Sequence, residues 1–307
     1  MNFTCYFVNM LDGFPLPDFD FEDDHEQIYP ALETPKKKID PEDIDDLCSQ
    51  SRIILDSKTP EKSTSNSLVF YGKCYDSDER FAVKITPHKH RVRDEYQKRL
   101  LVPDSPFLVK TIDLKENNAG AMLQMELCEH GDLVNTDNQE YEIWCIIHDI
   151  GRALLHLHEN QWMHLDVSPG NILITKDQYK LTDFGTLTLE GKFEEGNEGA
   201  GPYVSPEALA YPSGEYPVTY ATDIFSFGLV LFEAASGKPI PRGGSTNYSK
   251  IRNGEILLGS DRYPCSHSDE LISLINMMIS HDPNNRPTAA QIVDLAEANL
   301  LEYEVVM

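Results

Sequence analysis

An ordered series of short stretches constrains this chain more than any other feature. A lysine closes a β-rich run in "FAVK" (81–84), and "HLDVSPGNILIT" (164–175) follows a helical apolar pattern. "DFG" (183–185), "SPE" (205–207), "DIFSFG" (223–228) and "DPNNRP" (282–287) come after it in turn. Singly none is decisive, but together, over roughly 200 residues, they set out one kind of chemistry in order. Lys84 supplies a cation, Asp166 a carboxylate able to act as a base, and Asn171 and Asp183 an amide and a carboxylate able to hold metal ions. Transfer of a phosphoryl group needs these groups, because most of its catalysis is positioning and charge stabilisation.

The stretches fall on two kinds of local pattern. From residue 51 the chain alternates short β-rich runs ("SRIIL", "SLVFYGKCY", "RFAVKIT", "LVKTIDL", "AMLQMEL") with one charged helical stretch, "KHRVRDEYQKRLL". After "EHGDL" the apolar period becomes helical, with Ile143, Ile147, Ile150, Leu154 and Leu157 on one face of a helix that leads into the "HLD" loop. The remainder reads as mostly helices with a long loop near 186–204. These patterns predict a small sheet-rich unit followed by a larger helical one.

Residues 1–50 differ. They carry 13 acidic and 3 basic side chains, which is −10 of a net charge of −25, together with prolines and few β-branched residues. Such a composition predicts a disordered tail, either a solvated spacer or a docking segment using Phe14, Phe19 and Phe21. The acidic balance argues against nucleic-acid or anionic-membrane binding and allows a basic partner. Six scattered cysteines without a C-x-x-C pair predict reduced thiols. The N-terminal stretch lacks a basic start and a sustained apolar run, and "IFSFGLVLFEAA" is too short to span a bilayer and includes Glu233. The expectation is a soluble, monomeric protein of the nucleus or cytoplasm.

Over roughly residues 52–300 the chain resembles the eukaryotic protein kinase domain. "MELCEHGDL", "HLDVSPGNILI", "EGAGPYVSPEAL", "ATDIFSFGLVLFEAASG" and "GGSTNYSKIRNGEI" make it similar to the Wee/Myt group, which phosphorylates cyclin-dependent kinases on their glycine-rich loop and holds them inactive. The resemblance implies an α+β, two-lobed kinase fold. It places an acidic tail at 1–50, a β-rich N-lobe and hinge at 51–128, a larger, mainly α-helical C-lobe at 129–301 and a short tail at 302–307. It implies ATP and Mg2+ as cofactors and a cyclin-dependent kinase with its cyclin as partner, with neither nucleic acid nor membrane.

By the same resemblance Lys84 holds the α and β phosphates and pairs with a helix glutamate. Glu95 is the best-placed candidate, although the family spacing lands on Tyr96. Either that helix end holds an extra residue or the pairing is absent. Asp166 accepts the substrate proton, and Asn171 and Asp183 hold the metal ions. Val69, Ala82 and Leu173 sandwich the adenine, with Met125 at the back of the pocket before the hinge Glu126 to Cys128. His164 and Phe184 match the internal spine, and Glu207 and Arg286 match a buried structural ion pair.

Departures from the family pattern cluster around the phosphates. The three positions usually held by glycine before Val69 read Lys62, Thr64 and Ser67, so the backbone loses freedom to approach phosphate. Ser168 replaces the lysine that usually touches the γ-phosphate, and Ala200 replaces the residue that packs against it. Losing one such donor costs on the order of 10²- to 10³-fold in rate. Leu165 stands where many kinases receive an activation-loop phosphate. "TPKK" at Thr34 and "TPEK" at Thr59 fit the preference of cyclin-dependent kinases. Three readings stay open: an inhibitory kinase acting on tyrosine or threonine of a cyclin-dependent kinase, a pseudokinase scaffold, and a Ser/Thr kinase with an unrelated substrate.

Overall fold

The strand "RFAVKIT" alternates β-branched and aromatic residues with a single lysine, and Phe81, Ala82, Val83, Ile85 and Thr86 are all buried. Burial on both faces marks a central strand. In the computed structural model, which describes residues 39–306 except 65, 135–138, 198 and 200, this strand lies in the middle of an antiparallel sheet. Phe14, Phe19, Phe21, Thr34 and Ala200 lie outside the described residues.

In chain order the first unit comprises α1 (Pro41–Gln50), β1 (Ile53–Leu55), β2 (Lys62–Ser63), β3 (Leu68–Cys74), β4 (Arg80–Thr86), α2 (Lys89–Leu101), β5 (Thr111–Glu116) and β6 (Ala121–Glu126). The strands pair in the order β1-β3-β4-β6-β5, with β2 on β3. The second is built on α3 (Glu140–Glu159), followed by β7 (Trp162–Met163), β8 (Ile172–Ile174), β9 (Tyr179–Leu181) and β10 (Thr188–Leu189). It ends with α4 (Pro206–Ala210), α5 (Ala221–Ser236), α6 (Thr246–Arg252), α7 (Asp269–Met278) and α8 (Ala289–Val306). The fold is α+β, a sheet-rich N-lobe and a helical C-lobe.

Ile143, Ile147, Ile150, Leu154 and Leu157, the apolar face expected of α3, are all fully buried. They join Phe225, Phe227, Leu229 and Leu231 of α5 in one core. Each such side chain contributes about 1.5–3 kcal/mol by leaving water. Two short antiparallel pairs, β8 with β9 and β10 with β7, hang on this helical base and fix the loops between them. Among the described residues no helix is long and apolar enough to cross a membrane.

The expected disordered tail is corrected at its C-terminal end. Pro41–Gln50 is a helix whose Leu47 and Cys48 are buried with Phe70, Val83, Ile85 and Met122 of the sheet. Asn117, in the β5–β6 turn, donates to Asp43 O at 3.0 Å and Asp46 Oδ2 at 3.1 Å and fastens it. Glu42, Asp45 and Asp46 face solvent and Asp43 is half-buried, whereas Ile44, Leu47 and Cys48 share the inner face.

Candidate active site

Between the lobes lies a cleft of ≈ 580 Å³ lined by β2, β3, β4, β6 and the loops around Asp132, Asn171 and Asp183. Its inner part is apolar, with Val69, Ala82, Val109, Met125 and Leu173 on its walls, and Cys128 sits at its edge, its thiol pushed up to about 12 by burial and by Glu126. Glu126 also lines the cleft, and its carboxylate is committed to other partners, accepting from Lys180 and, at 3.1 Å, from the Lys110 backbone N–H.

At the polar end, Lys84 donates to Glu95 Oε2 at 2.9 Å and to Asp183 Oδ2 at 3.2 Å. Burial favours the uncharged lysine, but the charges of Asp183 and Glu95 outweigh it and raise its pKa. For Glu95 burial is the larger influence and raises the carboxyl above its usual range despite Lys84. For Asp183 burial is overcome by the charge and hydrogen bond of Lys84, and its pKa is lowered. The glutamate that meets Lys84 is thus Glu95, and Tyr96 packs instead against the apolar cluster of Val92, Leu123 and Met125. Two further ties lock α2 in this position: Lys98 donates to Gly185 O at 2.9 Å, and the Arg99 guanidinium lies 5.3 Å from the centre of the Phe184 ring.

Asp166 and Asn171 are joined across their loop. The Asn171 amide nitrogen donates to Asp166 O and to Asp166 Oδ2, both at 2.8 Å. With its nitrogen committed to Asp166, the chemistry of Asn171 leaves its amide oxygen as the group that could hold a cation. Sequence reasoning missed the group that holds this loop in place. Asp223, fully buried at the start of α5, accepts from His158 Nε2 at 2.9 Å, from the His164 backbone N–H at 2.8 Å and from that of Leu165 at 2.7 Å. Burial opposes its charge, yet the hydrogen bond and charge of His158 and the charge of His164 keep its pKa low. Leu165 and Asp183 both have left-handed backbones, with φ of 65° and 64°. Such conformations persist in non-glycine residues only when their surroundings hold them, and they gather at functional sites. Asp223 holds the first and Lys84 the second.

Described residues of the segment after Asp183 pack on this loop through apolar contacts. Leu165 is buried with Met163, Phe193, Val204, Ala208 and Val218, an apolar anchor in place of a charged one. Gly199 donates its N–H to Leu165 O at 3.1 Å. Beyond it, Arg252 donates to Val204 O at 2.9 Å and Pro202 O at 2.8 Å.

The turn in place of a glycine-rich loop satisfies its own backbone. Thr64 Oγ1 accepts from the Ser67 N–H at 3.0 Å and the Asn66 N–H at 3.2 Å. Thr86 Oγ1 donates to Asn66 O at 2.7 Å and ties the turn to β4. Ser168 is buried, so the "HLD" loop presents no cation there.

Comparison with known proteins agrees with this geometry. The sequence profile described as protein kinase domain matches residues 64–296. The chain is 33% identical over 239 residues to the membrane-associated tyrosine- and threonine-specific cdc2-inhibitory kinase wee-1.3 of Caenorhabditis elegans, covering 74% of this chain and 34% of that protein. It is 28% identical over 243 residues to the mitosis inhibitor protein kinase wee1 of Schizosaccharomyces pombe, covering 70% of this chain and 27% of the relative. A Wee1-like protein kinase of Arabidopsis thaliana is 32% identical over 184 residues, 58% of this chain and 35% of the relative. The chain spans about a third of the length of these relatives.

Proposed function

The chain belongs to the protein kinase family, with Wee1-type kinases among its relatives, and from that premise we propose that it transfers the γ-phosphate of ATP to tyrosine or threonine of a cyclin-dependent kinase. The assembled Lys84–Glu95–Asp183 cluster carries this reading. The substrate is inferred from the cdc2-inhibitory relative. The outcome for the cell is a delay of mitotic entry.

The residues fit the expected cofactors. A nucleoside enters the apolar end of the cleft between Val69, Ala82 and Leu173, with the Glu126 to Cys128 strand end at its edge. Asp183 and the Asn171 amide oxygen form a hard-oxygen donor set of the kind that holds Mg2+ when phosphates supply further ligands. A magnesium ion held by Asp183 and Asn171 would supply charge neutralisation at the phosphates. Lys84, held charged, faces the same phosphates, and Glu95 fixes its position. Asp166, oriented by Asn171, accepts the proton of the attacking hydroxyl.

Labelled transfer onto a purified cyclin-dependent kinase–cyclin complex tests this directly. The parent is expected to label a tyrosine or threonine in the partner's glycine-rich loop, and Asp166→Asn to reduce incorporation by on the order of 10³-fold or more while retaining Mg-ATP binding. A parent that labels only other proteins points to a Ser/Thr kinase with an unrelated substrate. The buried Ser168 and self-bonded Thr64 turn favour a second reading, a scaffold without catalysis. Thermal unfolding separates the two, since an enzyme gains stability from Mg-ATP in a magnesium-dependent way.

The fit of Gly199 gives a sharper expectation. A Cβ at this position would collide with Leu165 O and fall 2.5 Å from Asp166 Oδ1 and 2.7 Å from Asp166 Cα. Two of those atoms are backbone of the loop that Asp223 anchors through the His164 and Leu165 N–H groups, so Gly199→Ala displaces the base. Transfer is expected to fall by about 10²-fold in kcat. An unchanged kcat removes Gly199 from this role.

A further inference from the structure

The cleft has to accommodate a polyanion although its own lining is acidic. Among the described residues that line it are five carboxylates and two lysines, Lys84 and Lys62. The usual sources of phosphate contacts are reduced. Ser168 offers no charge, and the Asn66 and Ser67 N–H groups are already taken by Thr64 Oγ1. Lys84 is shared between two carboxylates. The second lysine therefore becomes the informative residue.

Lys62 stands on β2, in the roof of the cleft, opposite Val69. Its ammonium crosses to the floor, donating to Asp132 Oδ2 at 2.6 Å and to Gly170 O at 3.2 Å. Gly170 lies two residues from Ser168 and next to Asn171. A Cβ on Gly170 would lie 3.4 Å from the ammonium, in ordinary contact with it, so the ammonium sits directly over this turn.

Resting on the nucleotide-binding reading above, we infer that Lys62 supplies from the roof the phosphate-contacting cation that Ser168 does not supply from the floor. Asp132 and Gly170 O are acceptors, and the hydroxyls of an entering ribose are donors that can replace the ammonium on both. The four-carbon stem then lets the freed head swing onto the phosphates. Charge drives the exchange, because the ammonium leaves a single carboxylate for a more highly charged group in a partly desolvated cleft. In this chain a mobile side chain thus takes over part of the work that backbone N–H groups do in a glycine-rich loop.

The test is calorimetric titration of parent, Lys62→Ala and Lys62→Arg with Mg-ATP, Mg-ADP and adenosine. The Lys62 side chain is 47% exposed and its ion pair with Asp132 contributes little to folding, so the variants remain folded. Lys62→Ala is expected to weaken Mg-ATP about tenfold or more and Mg-ADP less, while adenosine, which no longer has to displace the ammonium, binds as well as before or more tightly, and Lys62→Arg is expected to restore most of the Mg-ATP loss. Equal affinities for Mg-ATP in parent and Lys62→Ala overturn the inference and leave the nucleotide site standing. Uniformly tighter binding of all three by Lys62→Ala also overturns it, because that is the signature of a lysine that merely blocks the ribose position. A parent that binds none of the three overturns the nucleotide reading itself, and Lys62's role falls with it.

Discussion

Arg286→Ala is expected to lower the free energy of unfolding by about 3–5 kcal/mol, a large share of the total for a fold of this kind. Arg286 donates to Glu207 Oε1 at 2.6 Å and to Oε2 at 2.9 Å, and both side chains are fully shielded from solvent. The two partners are unequal. Without Arg286, Glu207 keeps one side-chain donor, Thr222 at 2.9 Å, and is left as a buried anion. Without Glu207, Arg286 still donates to Ala221 O, Ser280 O and His281 O and lies over the Phe225 ring. Urea unfolding should therefore rank Arg286→Ala as more damaging than Glu207→Gln, and the reverse order would show that the carbonyl contacts matter little. The same pair predicts an acid limit. Burial works against the Glu207 charge, but the Arg286 hydrogen bonds and charge lower its pKa below the unfolded value of about 4.3. Its stabilisation is therefore present above that value and is lost as pH falls through the folded pKa. Asp223, also lowered, adds to the loss over the same acid range.

The parts of this molecule that were legible in the sequence are those whose chemistry is local. Lys84, Asp166, Asn171 and Asp183 stand in recognisable short stretches, two of which the fold brings together at Lys84 and Asp183, and the apolar face of α3 follows from its period alone. The limits are equally specific. Spacing left Glu95 and Tyr96 undecided, since one residue rotates a helix by about 100° and only packing shows which side chain faces the sheet. The helix α1 was hidden by net charge, although Pro41 at its first turn, acids beside it and the Ile44, Leu47, Cys48 spacing were all there to be read. Asp223 opens the "DIFSFG" stretch, but its three hydrogen bonds join residues 58 to 65 positions away. The Lys62–Asp132 pair spans 70 positions and two lobes. No local pattern encodes such contacts, because they depend on how the lobes meet.

Removing Lys84 is expected to have the largest effect on chemistry and a second, less obvious one on stability. Lys84→Met should lower transfer by on the order of 10²- to 10³-fold, the usual cost of deleting one preorganised charge at the reacting phosphates. It also leaves Glu95, whose side chain is 6% exposed, beside Asp183 with no cation between them. Glu95 is already raised by burial and by the Asp183 charge, and the Lys84 charge and hydrogen bond are the main opposition. Once these are gone its pKa rises further, to a value well above the unfolded one near 4.3. For an acid with a raised folded pKa, the proton-linked contribution to stability is fully present below the unfolded pKa and is lost as pH rises through the folded one. The variant should therefore be more stable in mild acid than at neutral pH relative to the parent, with the crossover above the ordinary carboxylate range. Thermal unfolding of both proteins across pH 4–8 measures this. A constant difference between them would mean that Glu95 turns away to solvent when Lys84 is lost. In that case α2 is held inward by the Lys84 pair, and the ties from Lys98 and Arg99 do not suffice.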